Sequence, residues 1–232
     1  MIQINDYFDN VYVLNLKKRK ERRSLMKKRL DFTDIEHEFF DAIDGSVMEP
    51  IWNSFCNPNF KNSNYLACTL SHLSIYEHAL KMNYSRILIL EDDCRIHRNA
   101  NMVFDDCVPA LSSTWNLLYL GFIPLSDDCT RWDYNVFDIS NKIGHAKNFW
   151  GLYSYGIRSD LMMRILDEYK KNFPMELDRY FVTKIQPEKK SYGFLPQLFA
   201  ADDGFSDNSK IVETGMLQRS IDSRFGNMLD YV

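Results

Sequence analysis

Residues 86–93 read Arg-Ile-Leu-Ile-Leu-Glu-Asp-Asp, a short apolar run that leads directly into three carboxylates. The four apolar residues at 87–90 predict a strand buried on both faces, which is typical of largely parallel sheets. In open α/β sheets, ligands bind outside the carboxyl ends of the strands, where Glu91, Asp92 and Asp93 would lie. Neighbouring carboxylates repel one another unless a cation joins them, and Mg²⁺ and Mn²⁺ prefer such oxygen ligands. This stretch therefore predicts a metal-assisted enzyme that uses a phosphorylated donor.

The acidic run also has a purely structural interpretation, because acidic residues after a strand often cap a helix or occupy a solvated turn. Side chains alternate along a strand, so Glu91 and Asp93 would point to one side and Asp92 to the other. We therefore predict Glu91 and Asp93 as the metal ligands. Asp92 is predicted to contact the sugar part of the donor or to cap the next helix.

The composition limits the class of protein. The chain has 232 residues, of which 45% are hydrophobic, enough for one large α/β domain or two small ones. Its net charge of -4 excludes a generally basic nucleic-acid-binding protein. Residues 17–29 nevertheless contain nine Lys or Arg and one Glu, which indicates either a solvated helix face or a contact with anionic lipid.

The cysteines and the termini bear on the compartment. The five cysteines are odd in number and form no Cys-x-x-Cys pair, which argues against a zinc ribbon and a disulfide scaffold. The first ten residues lack the features of a signal peptide, and no apolar run approaches the roughly 20 residues that span a bilayer. We therefore expect a soluble cytoplasmic protein without a transmembrane segment, with peripheral membrane contact as an option.

Strand and helix patterns alternate along the chain, which predicts a mainly parallel α/β sheet flanked by helices in a single domain. The predicted strands are residues 11–16, 36–43, 86–91, 115–120, 150–157 and 192–195. The predicted helices are residues 18–30, with Leu25, Met26 and Leu30 facing inward, and 65–81, 100–111, 159–171 and 178–185. Residues 46–63 and 122–148 are predicted as loops, the second of them near the active site.

Seven segments, taken in order, resemble glycosyltransferase family 25, the lipopolysaccharide and collagen galactosyltransferase family. They are VYVLNLKKRKERR (11–23), FFDAIDG (39–45), ACTLSHLSIYEHAL (67–80), RILILEDD (86–93), NLLYLG (116–121), GLYSYGIRSDLMMRIL (151–166) and LPQLFAADDGFSD (195–207). Each segment is short, but the ordered set is specific and covers most of the chain. Ala67 and Ala201 depart from the family pattern, which leaves the choice of sugar open.

The resemblance implies a GT-A type fold, a UDP-sugar donor, a divalent cation (usually Mn²⁺, otherwise Mg²⁺) and inverting transfer, commonly of galactose. We expect a nucleotide-binding half at about residues 1–121 and an acceptor-binding half at about 122–232. The expected reaction moves galactose or glucose from the UDP-sugar to a hydroxyl group. The acceptor would be a glycan, a lipopolysaccharide or a hydroxylysine-bearing protein, with no nucleic acid involved.

The same resemblance nominates residues that contact the donor. These are Asn15, Leu16, Arg22, Asp44, Ser71, His72 and Asp92. Arg22 is expected to reach the diphosphate, and Asp44 the ribose or uracil. The alternatives are an ordinary Asp-Gly turn for Asp44 and a structural role for the helical His72.

Inverting transfer also needs a carboxylate that takes the proton of the acceptor hydroxyl. Asp178 and Asp203 are the candidates for this base, and we favour Asp178; each has a helix cap or a surface carboxylate as its alternative. Tyr153 and Tyr155 are predicted to share one side of a strand, where they would flank an acceptor or fill the core.

Two other functions stay open at the level of sequence. One is a non-catalytic module of the same fold that binds a sugar nucleotide or a glycan. The other is a metal-dependent phosphohydrolase, in which Asp202 and Asp203 would supply a second carboxylate group near the metal.

Overall fold

The computed structural model describes residues 1–55, 59–126, 142–209, 211–221 and 227–232, and strands and helices are interspersed along them. The strands are β1 (Asn10–Asn15), β2 (Glu38–Asp41), β3 (Arg86–Glu91), β4 (Cys94–Ile96), β5 (Leu117–Tyr119), β6 (Ile123–Pro124), β7 (Ile143–His145), β8 (Phe149–Trp150), β9 (Ser154–Arg158), β10 (Ser191–Phe194), β11 (Phe199–Ala201), β12 (Gly204–Phe205) and β13 (Val212–Glu213). The helices are α1 (Ile4–Tyr7), α2 (Lys20–Phe32), α3 (Gly45–Phe55), α4 (Ser63–Lys81), α5 (Ala100–Cys107), α6 (Ser159–Asn172), α7 (Leu177–Tyr180) and α8 (Met216–Ser220).

A seven-stranded sheet with the order β2-β1-β3-β9-β5-β10-β7 forms the centre of the fold. Five of its strands run in one direction, while β9 and β7 run in the other. The predicted mainly parallel sheet is therefore confirmed. In the parallel register, Leu14 of β1 lies beside Glu91 of β3, and Asn15 lies beside Asp41 of β2. The polar ends of these three strands thus meet at one edge of the sheet.

Helices cover both faces of the sheet. In β3, Ile87 and Ile89 pack into one buried cluster, whose other members include residues of α4 and α6. Leu88 and Leu90 pack into the opposite cluster, which includes residues of α2 and α5. All four side chains are completely buried, because β3 lies between β1 and β9 and is covered from above and below. The continuous apolar run that predicted a doubly buried strand is thus explained.

The segment at 46–63, predicted as a loop, contains helix α3. Pro50 lies inside this helix, and a proline there lacks one backbone donor, so the sequence pattern favoured a loop. The helix begins where it does because the Asp44 carboxylate accepts a hydrogen bond from the Ser46 N–H, at 3.0 Å. It then packs against α4.

Helix α2 has a different inner face from the predicted one. Leu25 is 46% exposed, whereas Met26 and Leu30 are completely buried. Arg29 is buried in place of Leu25, and it donates to the Cys94 carbonyl at 2.8 Å and to Asp202 at 2.6 Å. A buried guanidinium is tolerated when its donors are satisfied in this way, which the apolar pattern alone does not predict.

The predicted shared side of Tyr153 and Tyr155 is wrong. Strand β9 begins at Ser154, so Tyr153 precedes it and packs into the cluster under α2 and α5. Tyr155 packs into the opposite cluster, next to α4. Of the predicted loop at 122–148, residues 123–124 and 143–145 form short strands, and 127–141 lie outside the described residues. Within the described part of the chain, no helix combines the length and apolarity needed to cross a bilayer.

Candidate active site

Two adjoining cavities open at the edge of the sheet where β1, β2 and β3 end. The first lobe, of about 100 Å³, is bordered by Leu14, Leu16, Lys18, Arg22, Ala42, Ile43, Asp44, Gly45, Asn64, Cys68, Ser71, Glu91, Asp92, Asp93, Ser206, Asp207 and Asn208. The second lobe, of about 280 Å³, is bordered mainly by residues from α4, the 150–153 segment, the start of α7 and the 201–216 segment. Six residues border both lobes and form their junction: Arg22, Cys68, Glu91, Asp93, Ser206 and Asn208.

The acidic run of β3 lies at this junction. Glu91 and Asp93 border both lobes, whereas Asp92 borders the first lobe alone. The pKa of Asp93 is raised to about 8, mainly by burial in the cleft and to a lesser degree by the negative charges of Glu91 and Asp92. A carboxylate with so little compensation is a favourable position for a cation.

Asp92 is held from the end of β1 and the first turn of α2. Asn15 Nδ2 donates to its Oδ2 at 2.5 Å, and Arg22 Nη1 donates to its Oδ1 at 3.1 Å. Arg22 also lies 3.4 Å from Asp93 Oδ2. Burial raises the pKa of Asp92, against the opposing effect of Asn15 and Arg22. Asn15 is 1% exposed and borders neither lobe, so it positions Asp92 from behind.

Glu91 is held from the other side by a chain of buried groups. Its Oε1 lies 3.2 Å from His72 Nε2, and His72 Nδ1 lies 2.8 Å from the Tyr155 hydroxyl. The Tyr155 hydroxyl in turn lies 2.7 Å from that of Tyr76. His72 is completely buried and borders neither lobe, and it orients Glu91 from behind the cleft wall.

The end of β2 forms the far wall of the first lobe. The backbone N–H of Ile43 donates to Ser71 Oγ at 2.9 Å, and this hydroxyl donates to the Ala67 carbonyl at 2.7 Å. Asp44 accepts from Lys18 at 2.6 Å, and this contact with the ammonium group lowers the pKa of Asp44 to about 2. Asp44 thus combines the predicted turn with a position in the cleft.

An ion pair between distant parts of the chain closes the first lobe. Arg19 Nε and Nη2 each donate to Asp207 at 2.9 Å, a bidentate contact that we call the Arg19–Asp207 clasp. Burial opposes ionisation of Asp207, but the hydrogen bonds and charge of Arg19 outweigh it and lower the pKa. The clasp holds Ser206 and Asn208 at the junction of the lobes.

The second lobe contains Asp178 and aromatic side chains. Asp178 is the second residue of α7, whose first N–H, that of Leu177, donates to Thr69 Oγ1 of α4 at 3.2 Å. Burial is the main reason that the pKa of Asp178 is raised above its ordinary value. Trp150 and Tyr65 also border this lobe. The lobe therefore joins the poorly solvated carboxylate of Asp178 with flat apolar surfaces.

The other two late aspartates are occupied by contacts within the protein. Asp202 accepts from Arg29 at 2.6 Å and from Arg95 at 2.9 Å. Asp203 accepts backbone hydrogen bonds from residues 215, 216 and 217 at the start of α8, which lower its pKa. Asp203 borders neither lobe of the cleft.

The structure brings most of the nominated residues together. Those that border the cleft are Leu16, Arg22, Asp44, Ser71, Glu91, Asp92, Asp93 and Asp178. Asn15 and His72 lie directly behind them, and Asp203 lies apart. Sequence reasoning missed Lys18, Cys68, Trp150 and the 206–208 turn. Only Cys68 carried a readable signal, since it precedes His72 by one helical turn.

Comparison with known proteins identifies the family. Residues 8–181 match the sequence profile described as glycosyltransferase family 25 (LPS biosynthesis protein). Because this match covers well over half of the chain, the chain belongs to glycosyltransferase family 25.

Curated relatives share this assignment. A glycosyltransferase 25 family member of Aedes aegypti is 27% identical over 74% of this chain and 30% of its own length. Procollagen galactosyltransferase 2 of Mus musculus is 27% identical over 49% of this chain and 21% of its own length. The inactive glycosyltransferase 25 family member 3 of Homo sapiens is 29% identical over 49% of this chain and 22% of its own length. The chain thus spans about a third or less of the length of these relatives.

A solved structure supports the fold alone. The glycosyltransferase involved in the glycosylation of the major capsid of PBCV-1 superimposes with a TM-score of 0.50 at 8% identity, covering 87% of this chain and 95% of that one. The expected GT-A-like α/β arrangement is confirmed.

Proposed function

We propose that this protein is a metal-dependent inverting glycosyltransferase that moves galactose or glucose from a UDP-sugar to a hydroxyl acceptor. The observation that carries the proposal is the two-lobed cleft with Glu91 and Asp93 at its junction. A sugar nucleotide has a nucleoside at one end, a sugar at the other and a diphosphate between them. The side chains along the cleft follow the same order as the groups of such a donor that they would contact.

The first lobe suits the nucleoside. Leu14, Leu16 and Ile43 offer apolar contact to a base, and Asp44 offers a carboxylate to the ribose hydroxyls. Arg22, at the junction, is suited to the diphosphate, because a guanidinium matches the geometry of phosphate oxygens.

The donor set at the junction fits a hard cation. Glu91 and Asp93 supply carboxylate oxygens, and the crowding of negative charge that raises the pKa of Asp93 is relieved when a cation binds. These two residues would hold Mn²⁺ or Mg²⁺. When bound, the ion would offset the negative charge that develops on the leaving diphosphate.

The second lobe suits the acceptor and the base. In the proposed reaction, Asp178 takes the proton of the acceptor hydroxyl. The acceptor oxygen then bonds to the anomeric carbon of the donor sugar as the bond to UDP breaks and UDP leaves. Trp150 and Tyr65 would pack against the apolar faces of the sugars. We propose a saccharide, a lipopolysaccharide or a hydroxylysine-bearing protein as the acceptor class, and the galactosyltransferase named among the relatives supports galactose as the first sugar to test.

The first experiment measures thermal unfolding with UDP, GDP or CMP, each with and without Mn²⁺. We expect a rise in the melting temperature that needs UDP and Mn²⁺ together, since a ligand that binds only the native state stabilises it. Asp93→Asn should abolish the Mn²⁺-dependent part, while Asp31→Asn, on the exposed face of α2, should leave it unchanged. An undiminished shift in Asp93→Asn would overturn the metal assignment.

A non-catalytic binding module is the second candidate, favoured by the similarity to the human relative that is named as inactive. It predicts the same Mn²⁺-dependent UDP binding, without consumption of UDP-galactose or UDP-glucose across a panel of acceptors. The phosphohydrolase lacks comparable support, because Asp202 is paired with two arginines and Asp203 caps α8.

A further inference from the structure

Three side chains of different chemistry converge at the junction of the two lobes. Cys68 and His72 are four residues apart on α4 and therefore lie on one face of the helix. The Glu91 Oε1 atom lies 3.8 Å from Cys68 Sγ and 3.2 Å from His72 Nε2. All three donor atoms lie within 4.8 Å of one another.

The two separations from Glu91 are close to the edges of a zinc tetrahedron. Zinc bonds of about 2.3 Å to sulfur and about 2.0–2.1 Å to nitrogen or oxygen place neighbouring tetrahedral ligands roughly 3.3–3.6 Å apart. The two measured distances from Glu91 fall within a few tenths of an ångström of these values. A thiolate and an imidazole also favour Zn²⁺ over Mn²⁺ or Mg²⁺, which prefer oxygen ligands throughout.

A hydrogen bond fixes the His72 imidazole in the way that is usual for zinc-binding histidines. Metal-binding histidines usually have their second ring nitrogen fixed by a hydrogen bond, and His72 Nδ1 lies 2.8 Å from the Tyr155 hydroxyl. That hydroxyl lies 2.7 Å from the Tyr76 hydroxyl, and a tyrosine hydroxyl is able either to donate or to accept. The proton order along this chain can therefore reverse, which frees the lone pair of His72 Nε2 for a cation.

The surroundings also attract a cation and leave room for one more ligand. Cys68 and Glu91 border both lobes, while His72 lies buried behind them. Asp93 and Asp178 border the second lobe beside them and add negative potential. Three protein ligands with the fourth position facing a cleft are typical of zinc sites that keep one position open to water or another ligand.

We propose that Cys68, His72 and Glu91 form a zinc site at the junction of the lobes. This site shares Glu91 with the proposed Mn²⁺ site of Glu91 and Asp93, and its other ligands are different. Zinc bound there withdraws Glu91 from the donor metal, so Zn²⁺ competes with Mn²⁺. This competition, unlike the zinc site itself, rests on the proposed function.

The test of the site uses Co²⁺ and Zn²⁺ with the metal-free full chain. We expect Co²⁺ to give tetrahedral visible bands and a near-ultraviolet thiolate charge-transfer band. Cys68→Ala should lose the charge-transfer band and weaken Zn²⁺ binding, measured against a coloured chelator, by at least about tenfold. Cys107→Ala, which removes a buried thiol outside the cleft, is the matched control and should retain both.

Two outcomes would overturn the zinc site: unchanged Zn²⁺ affinity in Cys68→Ala, or a Co²⁺ complex without the thiolate band. Glu91→Gln, which keeps the side-chain shape, is the second variant and should also weaken Zn²⁺ binding. Far-ultraviolet circular dichroism checks that each variant is folded.

The competition has its own measurement. Zn²⁺ added to the Mn²⁺-loaded protein should release Mn²⁺, which the electron paramagnetic resonance signal of the free ion reports. Release that is lost in Cys68→Ala supports the sharing of Glu91, because Zn²⁺ that displaced Mn²⁺ directly from Glu91 and Asp93 would not need the thiol. If Mn²⁺ stays bound while zinc occupies the site at Cys68, the zinc site is upheld and the sharing of Glu91 is overturned. The measurement thus separates the two proposals.

Discussion

At the scale of single residues, the pKa shifts of Asp93 and Asp178 have the opposite direction from those of Asp203 and Asp207, which are held by contacts within the protein. The pKa values of Asp93 and Asp178 are raised, mainly by burial. Those of Asp203 and Asp207 are lowered, by backbone donors in one case and by Arg19 in the other. A raised pKa shows that the surroundings compensate the negative charge of the carboxylate poorly. A bound cation or an accepted proton would supply that compensation.

Asp178→Asn tests the base directly. The variant should lose nearly all sugar transfer, because an amide cannot accept the acceptor's proton, while Mn²⁺-dependent UDP binding stays intact. Transfer of radiolabelled sugar and calorimetric UDP binding measure the two effects. Asp203→Asn separates the candidates: it should lower the melting temperature through the weakened cap of α8 and keep transfer. Loss of transfer in Asp203→Asn alone would reverse the assignment.

The pH dependence of turnover follows from the same residue. The pKa of Asp178 is raised, and a base acts only when deprotonated, so kcat should rise with pH and fall as pH drops through this pKa. The inflection should lie above the value of about 4 that is usual for a carboxyl group. It is measured with donor, acceptor and metal saturating. A kcat that stays constant down to pH 4 would contradict the role of Asp178.

At the scale of elements, one turn of α4 organises both lobes. Cys68 borders the junction, Thr69 holds the start of α7, Ser71 holds the end of β2, and His72 holds Glu91 of β3. Side chains of consecutive helical residues point in different directions, so one turn reaches three neighbouring elements. The position of α4 therefore sets the geometry of the whole cleft.

Ser71→Ala tests this organisation. The variant leaves the Ile43 N–H without its partner, which should cost about 1–3 kcal/mol of unfolding free energy and weaken UDP binding. Urea unfolding and calorimetry measure the two effects. Ser74→Ala is the matched control, because both hydroxyls donate to the carbonyl four residues earlier in α4. Equal losses in both variants would show that the contact with Ile43 contributes nothing.

The elements also show what the sequence can and cannot predict. The bounds of β3 were predicted correctly, because its apolar run is buried on both faces and has no competing pattern. Helix α3 was missed because Pro50 outweighed the capping by Asp44. The 206–208 turn was missed for another reason: its position depends on Arg19, far away in the chain, and no local pattern encodes such a contact.

At the scale of the whole molecule, the cleft combines segments from nearly the full length of the chain. Its first lobe is bordered by residues 14–93 and, across from them, by Ser206, Asp207 and Asn208. The family match ends at residue 181, so the segment that closes this lobe lies beyond it. The expected division at about residue 121 therefore stays a proposal for binding roles, since both lobes include residues from after it.

The clasp can be tested by exchanging its charges. Arg19→Asp and Asp207→Arg should each weaken UDP binding several-fold, because like charges would open the first lobe. The double variant should recover part of the loss, with a coupling energy of about 0.5–3 kcal/mol in calorimetric binding. Lys27→Ala, which removes an exposed ion pair on α2, should leave binding unchanged. Strictly additive losses in the double variant would contradict the clasp.

The clasp also determines how late in its synthesis the protein is able to close the first lobe. Arg19 and Asp207 are separated by 188 positions in the chain. At a translation rate of about 5–20 residues per second, Arg19 leaves the ribosome roughly ten seconds or more before its partner. Strand β3 is made within this interval, so Glu91 and the two aspartates after it are synthesised before the segment that closes the first lobe. The first lobe therefore cannot close until the 206–208 turn has been made, late in the synthesis of each molecule.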